Sequence, residues 1–166
     1  MNAALPRWAD LILLPLVNLL LALGLTVAAP LPAVAQECGG VPGNGAVKLT
    51  VLATDLRNGK GEVAFTVYPD DKARFLAKGR KLYRTRVPVR LPATASCFWV
   101  KPGYYAIAQY HDENADHDFN RTLWMPKEGF GFSNDAPTSI GLPSFASARF
   151  QVPVGGTTMR MKMRYK

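Results

Sequence analysis

The stretch VKLTVLATDLRNGKGEVAFTV, residues 47–67, decides the fold class of this chain. Apolar side chains recur at every second position before and after a central turn, as at Val47, Leu49 and Val51. A period of two is the pattern of a β-strand that buries one face. The Asn58-Gly59 pair between the two runs is a hairpin signal. The sequence therefore predicts two successive strands that form a β-hairpin.

Outward from this stretch, the chain consists of further short apolar runs separated by turns. These runs predict strands over residues 83–91, 97–101, 104–110, 148–154 and 159–165. Short strands joined mainly by turns are typical of an all-β fold. We expect one antiparallel sandwich of about seven strands, of the immunoglobulin-like or prealbumin-like class.

Two local features refine this prediction. An Asp just after Pro69 is a candidate helix N-cap, which predicts a short helix from there through Leu76. Pro88 cannot donate a hydrogen bond to a neighbouring strand, which places its own strand at the edge of a sheet.

The N-terminal segment has the three parts of a secretory signal peptide. A short leader carries Arg7 and Asp10, an apolar run covers residues 11–29, and the segment ends at the A-x-A pattern of residues 33–35. We therefore predict cleavage after Ala35. The apolar run is also near the length of a spanning helix, so a retained membrane anchor is the alternative.

The predicted organisation is a signal peptide at residues 1–35, a Gly-rich linker at 36–45 and a β-sandwich domain at 46–166. The chain has a formal net charge of +8, and cleavage would remove one Arg and one Asp, so the excess remains. A basic protein favours anionic partners. We expect a periplasmic or secreted protein that binds an anionic envelope polymer or another envelope protein. We expect no nucleic acid as partner and no membrane span in the mature chain.

Cys38 and Cys97 are the only cysteines in the sequence, and both lie in the predicted exported part. An even count in an oxidising compartment predicts a disulfide. The bridge would close a loop of about 60 residues, for which the chain-entropy model gives about 4 kcal/mol of stabilisation. Lipid modification of Cys38 is disfavoured because Glu37 stands where a lipoprotein signal has a small residue.

An acidic run, HDENADHDFN at residues 111–120, contrasts with the basic remainder of the chain. Oxygen-bearing side chains stand at alternate positions, and Ca²⁺ prefers such ligands. The candidate metal ligands are Asp112, Asn114, Asp116, Asp118 and Asn120. An EF-hand loop would have Gly where His117 stands and Glu where Leu123 stands. A metal-free turn stabilised by Asp and Asn side chains is therefore the alternative, and Ca²⁺ is the only cofactor that we expect.

Residues 121–143 form a long segment with aromatic side chains, and such segments are usually functional or disordered. A ligand-binding rim beside the acidic run would use His111, Trp124, Glu128 and Phe130. Packing of the aromatic rings at one end of the sandwich is the alternative.

Two classes of function are open at this point. The first is a non-catalytic envelope module that binds a ligand or a partner. The second is a small periplasmic hydrolase that uses the carboxylates and histidines of residues 111–118 for acid–base chemistry. No nucleophile-elbow motif is present in the sequence, so we expect a non-enzyme and assign no catalytic residue.

An ordered series of motifs resembles domain-of-unknown-function family 2141. The motifs are YYAIA at 104–108, HDEN at 111–114, PKEGFGFSN at 126–134, PSF at 143–145 and ARF at 148–150. The similarity covers residues 46–165. The resemblance implies an exported bacterial protein with a small β-sandwich and implies no activity. The family pattern has glycines where this chain has Ala115 and His117, and an acidic residue where it has Asn120.

Overall fold

The computed structural model describes residues 37–123, 125–138 and 141–166. The strands in these ranges are β1 (Val47–Thr54), β2 (Glu62–Pro69), β3 (Tyr83–Pro88), β4 (Thr94–Val100), β5 (Gly103–Asp112), β6 (Arg121–Thr122), β7 (Met125–Pro126), β8 (Gly129–Phe132), β9 (Phe150–Val152) and β10 (Thr157–Lys162). A single 3-10 turn covers Ser133–Asp135, and the short helix α1 covers Phe145–Ala148. The predicted signal peptide and Gln36 lie outside the described residues.

Two sheets enclose the main core. Sheet A has the order β10-β1-β4, with β1 parallel to β10 and antiparallel to β4. Sheet B has the order β3-β2-β5-β8, β9 also pairs with β5, and every pairing is antiparallel. Inward side chains of both sheets meet in one cluster, with Leu49, Phe65, Phe98, Ile107 and Met161 fully buried. The predicted all-β sandwich is confirmed.

The predicted hairpin between the first two strands is wrong. β1 lies in sheet A and β2 lies in sheet B, so residues 55–61 carry the chain from one sheet to the other. The turn itself is present, since Oδ1 of Asn58 accepts a hydrogen bond from the Lys60 N–H at 2.9 Å. An Asn side chain specifies such a local turn but does not specify which strands pair.

The helix predicted after Pro69 does not form. Residues 72–76 make successive turns, begun by Asp71, whose Oδ1 accepts from the Ala73 N–H at 2.8 Å. Leu76 has a φ of 59°, and this left-handed conformation ends a right-handed helix. The edge position predicted from Pro88 is confirmed, because β3 is the outer strand of sheet B.

A second apolar cluster covers the outer face of sheet B. Tyr110 of β5 and Phe130 and Phe132 of β8 point to this face and pack with rings from the neighbouring loops. Among these, the Phe119 ring lies 5.5 Å from Tyr110 and 6.1 Å from Phe130. The acidic run is therefore fastened to the sheet by an aromatic side chain of its own.

Strand β8 has the sequence Gly-Phe-Gly-Phe and lies within the segment 121–143, where no strand was predicted. The two phenylalanines face the second cluster, and the two glycines face the end of β10 and the residues that follow it. A Cβ on Gly131 would lie 2.2 Å from the backbone oxygen of Lys162. Only glycine permits this close approach.

Cys38 and Cys97 form a disulfide, as predicted. Next to it, the Gly39 N–H donates to the Cys97 carbonyl at 2.9 Å, and the Trp99 N–H donates to the Gly39 carbonyl at 2.8 Å. The bridge and these hydrogen bonds fasten the Gly-rich segment to β4. Among the described residues, no helix has the length and apolar character needed to cross a membrane.

Candidate metal site

The candidate site begins where β5 ends. Asp112 is the last residue of β5, and its side chain is fully buried. The chain then turns sharply, with φ values of 54° at Ala115 and 69° at His117. Residues other than glycine seldom adopt positive φ, although His does so more readily than most. The turn therefore places two residues other than glycine in the left-handed conformation.

Three carboxylates converge at this turn. One oxygen from each of Asp112, Asp116 and Glu128 lies within 4.8 Å of the other two. Because Ca²⁺–oxygen distances are about 2.3–2.6 Å, two oxygens on one ion lie no more than about 5 Å apart. The spacing of the three carboxylates therefore suits a single cation.

Glu128, one of these three residues, has a buried oxygen without a hydrogen-bond partner among the described residues. Its side chain is 4% exposed, its Oε2 accepts from the Asn120 N–H at 3.0 Å, and its Oε1 has no hydrogen-bond partner among the described residues. Burial, together with repulsion from Asp112 and Asp116, raises the pKa of Glu128 despite the bond from Asn120. A buried carboxylate without a partner is costly, and a bound cation would supply one.

Glu128 was predicted to lie on a ligand-binding rim and not among the metal ligands. In an EF-hand loop the closing acidic residue would stand at the position of Leu123. Instead β6 and β7 form a two-stranded hairpin, and the chain returns to the acidic run only after it. The sequence offered one indication of this role: Glu128 follows the acidic run after only residues 121–127, and a segment of that length can form a hairpin that returns to the run.

Asp116 organises the exposed side of the turn. Its Oδ1 accepts from the Asp118 N–H at 2.9 Å, and its Oδ2 accepts from the amide nitrogens of Asn114 and Asn120 at 2.7 and 3.0 Å. These bonds, led by the one from Asp118, lower the pKa of Asp116. Rotation of either Asn amide would present its oxygen to an ion. The Asp118 carboxylate is not part of the three-carboxylate group.

Arg86 of β3 fastens the turn to the sheet. Its Nη1 donates to Glu62 at 2.7 Å and to Asp112 at 3.2 Å. Its Nη2 donates to the Tyr110 hydroxyl at 2.6 Å and to the His117 carbonyl at 2.7 Å. Its side chain is only 20% exposed, so this guanidinium is a partly buried anchor. Of the three converging carboxylates, only Asp112 pairs with Arg86, which also pairs with Glu62, so the group as a whole remains negative.

His111 is fully buried and has both ring nitrogens in hydrogen bonds. Nε2 lies 2.8 Å from the Lys60 carbonyl and Nδ1 lies 2.7 Å from the Tyr165 hydroxyl. Because a carbonyl only accepts, Nε2 carries the hydrogen, and the Tyr165 hydroxyl donates to Nδ1. His111 thus connects the end of β5 to two other parts of the chain.

Glu113 points away from the three-carboxylate group. Arg57 forms an ion pair with it at 2.5 Å, and the Asn58 amide donates to it at 3.1 Å. Burial alone would raise the pKa of Glu113, but the hydrogen bonds from Asn58 and Arg57 and the Arg57 charge hold it below its usual value. The carboxylates of the acidic run therefore divide between different partners.

A cavity of about 510 Å³ opens beside the turn on the outer face of sheet B. Of the residues predicted to bind a ligand, Phe130 lines this cavity, Glu128 belongs to the carboxylate group and His111 is buried. Trp124 lies outside the described residues.

Comparison with known proteins gives one match. The family model described as "Uncharacterized protein conserved in bacteria (DUF2141)" matches residues 51–160. No curated protein and no solved structure matches the chain. The matched residues include most of both sheets, the acidic run and Glu128. The chain therefore belongs to the DUF2141 family of uncharacterized bacterial proteins.

Proposed function

We propose that this protein is an exported, non-catalytic binding module of the bacterial envelope whose acidic turn is organised by Ca²⁺. The observation that carries the proposal is Glu128: its buried Oε1 has no hydrogen-bond partner among the described residues, and its carboxylate belongs to one group with those of Asp112 and Asp116. A divalent cation would give this oxygen a partner and would offset the negative charge of the group.

Calcium suits this group better than the other common divalent cations. The available ligands are oxygens, and Ca²⁺ takes about six to eight of them in a flexible geometry, whereas Mg²⁺ requires a near-ideal octahedron. Asn114 and Asn120 can add amide oxygens, and water can complete the shell. Zinc prefers nitrogen and sulfur ligands, and both nitrogens of the neighbouring His111 are already bonded.

The surroundings of the carboxylates support binding rather than catalysis. A hydrolase at this position would pair a carboxylate with His111, which is buried and bonded at both nitrogens. Asp112 is buried against Arg86, and Glu113 is held by Arg57. These side chains are anchored to the fold, which is the arrangement expected of residues that stabilise a loop.

The exported location is supported by the disulfide, because disulfides persist in oxidising compartments and are rare in the cytosol. The A-x-A pattern at residues 33–35 also supports export, because it is typical of a signal-peptide cleavage site. The intact mass of the protein recovered from the envelope should correspond to a chain that begins at Gln36. A full-length chain held in the inner membrane would instead support the retained anchor.

The cation proposal is tested by the melting temperature in about 10 mM Ca²⁺ and in chelator. Binding to the folded state alone adds about 2.7 kcal/mol when the free ion is at a hundred times Kd. Ca²⁺ should raise the melting temperature of the wild type, and Mg²⁺ should raise it less. Asp116→Asn should abolish the gain. The matched control is Asp118→Asn, which removes the same charge from the same turn and should keep most of the gain.

Two results would contradict the proposal. One is an unchanged wild-type melting temperature in Ca²⁺ and in chelator. The other is equal loss of the Ca²⁺ effect in the two variants, which would show a general charge effect and no defined site.

A further inference from the structure

The cavity beside the acidic turn shares a wall with the candidate metal site. Phe119 lies between Asp116 and Asn120 in sequence, and it lines the cavity together with Tyr110 and Phe130. The cavity volume is about 510 Å³, which is in the range of small-molecule sites. Most of the wall is aromatic or aliphatic, so the cavity suits a ligand with an apolar body.

The apolar lining continues to the protein surface. Met125 and Leu142 line the cavity and are 43% and 68% exposed. Exposed apolar side chains at the rim of a concave surface are typical of a binding site. A ligand that fills the cavity would remove these side chains from water.

Three basic residues give the cavity its charge. Arg84, Arg121 and Lys166 line it, and no Asp or Glu is found among its described lining residues. Nε of Arg84 donates to the Thr66 hydroxyl at 2.8 Å, and its guanidinium lies 6.0 Å from the centre of the Tyr110 ring. The Arg121 guanidinium lies 5.0 Å from the Phe119 ring. Neither arginine forms an ion pair with a described residue.

We propose that this cavity binds a small amphipathic anion with an apolar acyl chain and a carboxylate head. The chain lies against the aromatic wall, and the head pairs with Arg84 and Arg121. A guanidinium binds a carboxylate through two parallel hydrogen bonds, which a cationic or uncharged head cannot reproduce. The inference names a ligand class for the proposed binding module and rests on that binding role, but it does not require a bound Ca²⁺.

The first test compares head groups on the wild-type protein by isothermal titration calorimetry below micelle-forming concentrations. Laurate should bind with one molecule per chain. Dodecyltrimethylammonium has the same chain length and the opposite charge, and it should bind at least tenfold more weakly. Butyrate keeps the head and shortens the chain, and it should also bind at least tenfold more weakly. Absence of laurate binding, or equal binding of the cationic amphiphile, would overturn the inference.

The second test locates the head. Arg84→Gln and Arg121→Gln should each weaken laurate binding at least fivefold. Arg160→Gln is the matched control, because Arg160 is exposed on β10 of sheet A and does not line the cavity. It should change the affinity less than twofold. Equal weakening by the control would show a diffuse electrostatic effect and would overturn the assignment.

The titrations are run in chelator, because Ca²⁺ precipitates laurate, and the melting temperature in Ca²⁺ and in chelator is measured without laurate; the two readouts separate this inference from the cation proposal. Laurate binding in a protein whose melting temperature ignores Ca²⁺ supports the cavity and contradicts the cation site. A melting temperature that rises in Ca²⁺, without laurate binding, supports the cation site and overturns the cavity.

Discussion

Glu128 shows how one buried side chain can favour a metal ion over the metal-free state. Without an ion, burial and the neighbouring carboxylates raise its pKa, which means that the folded protein holds the ionised form at a cost. A bound metal requires that ionised form and supplies the missing partner. In the proposed site, the same residue would therefore cost stability without the ion and stabilise the protein with it.

This dual role predicts opposite effects of Glu128→Gln in two buffers. In chelator the variant should be more stable than the wild type by about 1 kcal/mol, because a buried charge with an unpaired oxygen is removed. In Ca²⁺ the variant should gain nothing. Urea unfolding in both buffers measures the two effects. A variant that is destabilised in chelator and still responds to Ca²⁺ would contradict the role given to Glu128.

The raised pKa also predicts the pH dependence of the calcium effect. The stability that protonated Glu128 contributes to the metal-free protein is fully present below its unfolded pKa and is lost as the pH rises through the folded pKa. Protons therefore compete with Ca²⁺ at a higher pH than at an ordinary glutamate. The difference in melting temperature between Ca²⁺ and chelator should shrink as the pH falls from 7 towards 5. A difference that stays constant over this range would contradict the prediction.

The sequence indicated part of the site at this scale. Asp112 and Asp116 were predicted from the alternation of oxygen ligands, and the structure brings them together. The position of Glu128 beside these two carboxylates could not be predicted. It depends on the hairpin of β6 and β7, whose strands have only two residues each and therefore show no periodic pattern in the sequence. The tight turn could not be predicted from Ala115 and His117 either, because residues other than glycine seldom adopt the positive φ values of 54° and 69° that they have in the structure.

At the scale of elements, strand β8 connects the site to the sandwich. It pairs with β5 along 129–132 and places Phe130 against Phe119 of the acidic run. Gly-Phe-Gly-Phe has a period of two, but glycine is depleted in strands, and the segment was therefore treated as a loop. Glycine is required here by tertiary packing, because the end of β10 and the residues after it lie too close to β8 for a side chain at Gly129 or Gly131.

Close packing at β8 predicts that Gly131→Ala destabilises the protein by about 2–3 kcal/mol, the usual cost of overpacking a well-packed interior. Gly155→Ala is the matched control, since a Cβ at that position meets nothing within 4 Å. The free energy of unfolding in urea measures both. Equal stability of the two variants would show that the backbone near Lys162 yields easily.

Strand pairing was the least predictable feature at this scale. The alternation of apolar residues gave the strands near 47–54 and 62–69 correctly, because one buried face imposes it locally. The Asn58 turn is also local. Which sheet each strand joins is not a local property. β1 lies in sheet A and β2 in sheet B because the apolar faces of the two sheets pack on each other in one core, and that packing involves all the other strands of the two sheets.

At the scale of the whole molecule, the disulfide joins the Gly-rich segment that contains Cys38 to β4 of sheet A, across a sequence separation of 59. The unreduced, unfolded protein should show no thiol that reacts with a labelling reagent. Replacing both Cys38 and Cys97 by Ala should lower the free energy of unfolding by about 4 kcal/mol in the chain-entropy model. Two reactive thiols per wild-type chain would contradict the bridge. An unchanged stability of the double variant would contradict its stabilising role.

The described part of this basic chain combines a β-sandwich with an acidic turn and a cavity beside that turn. The central claim is that the turn holds Ca²⁺, and a crystal structure grown with Ca²⁺ and with anomalous data tests it most directly. The account predicts one anomalous peak with oxygens of Asp112, Asp116 and Glu128 at about 2.3–2.6 Å. A structure with no ion at this turn, and with Oε1 of Glu128 bonded to water or to another side chain, would contradict it.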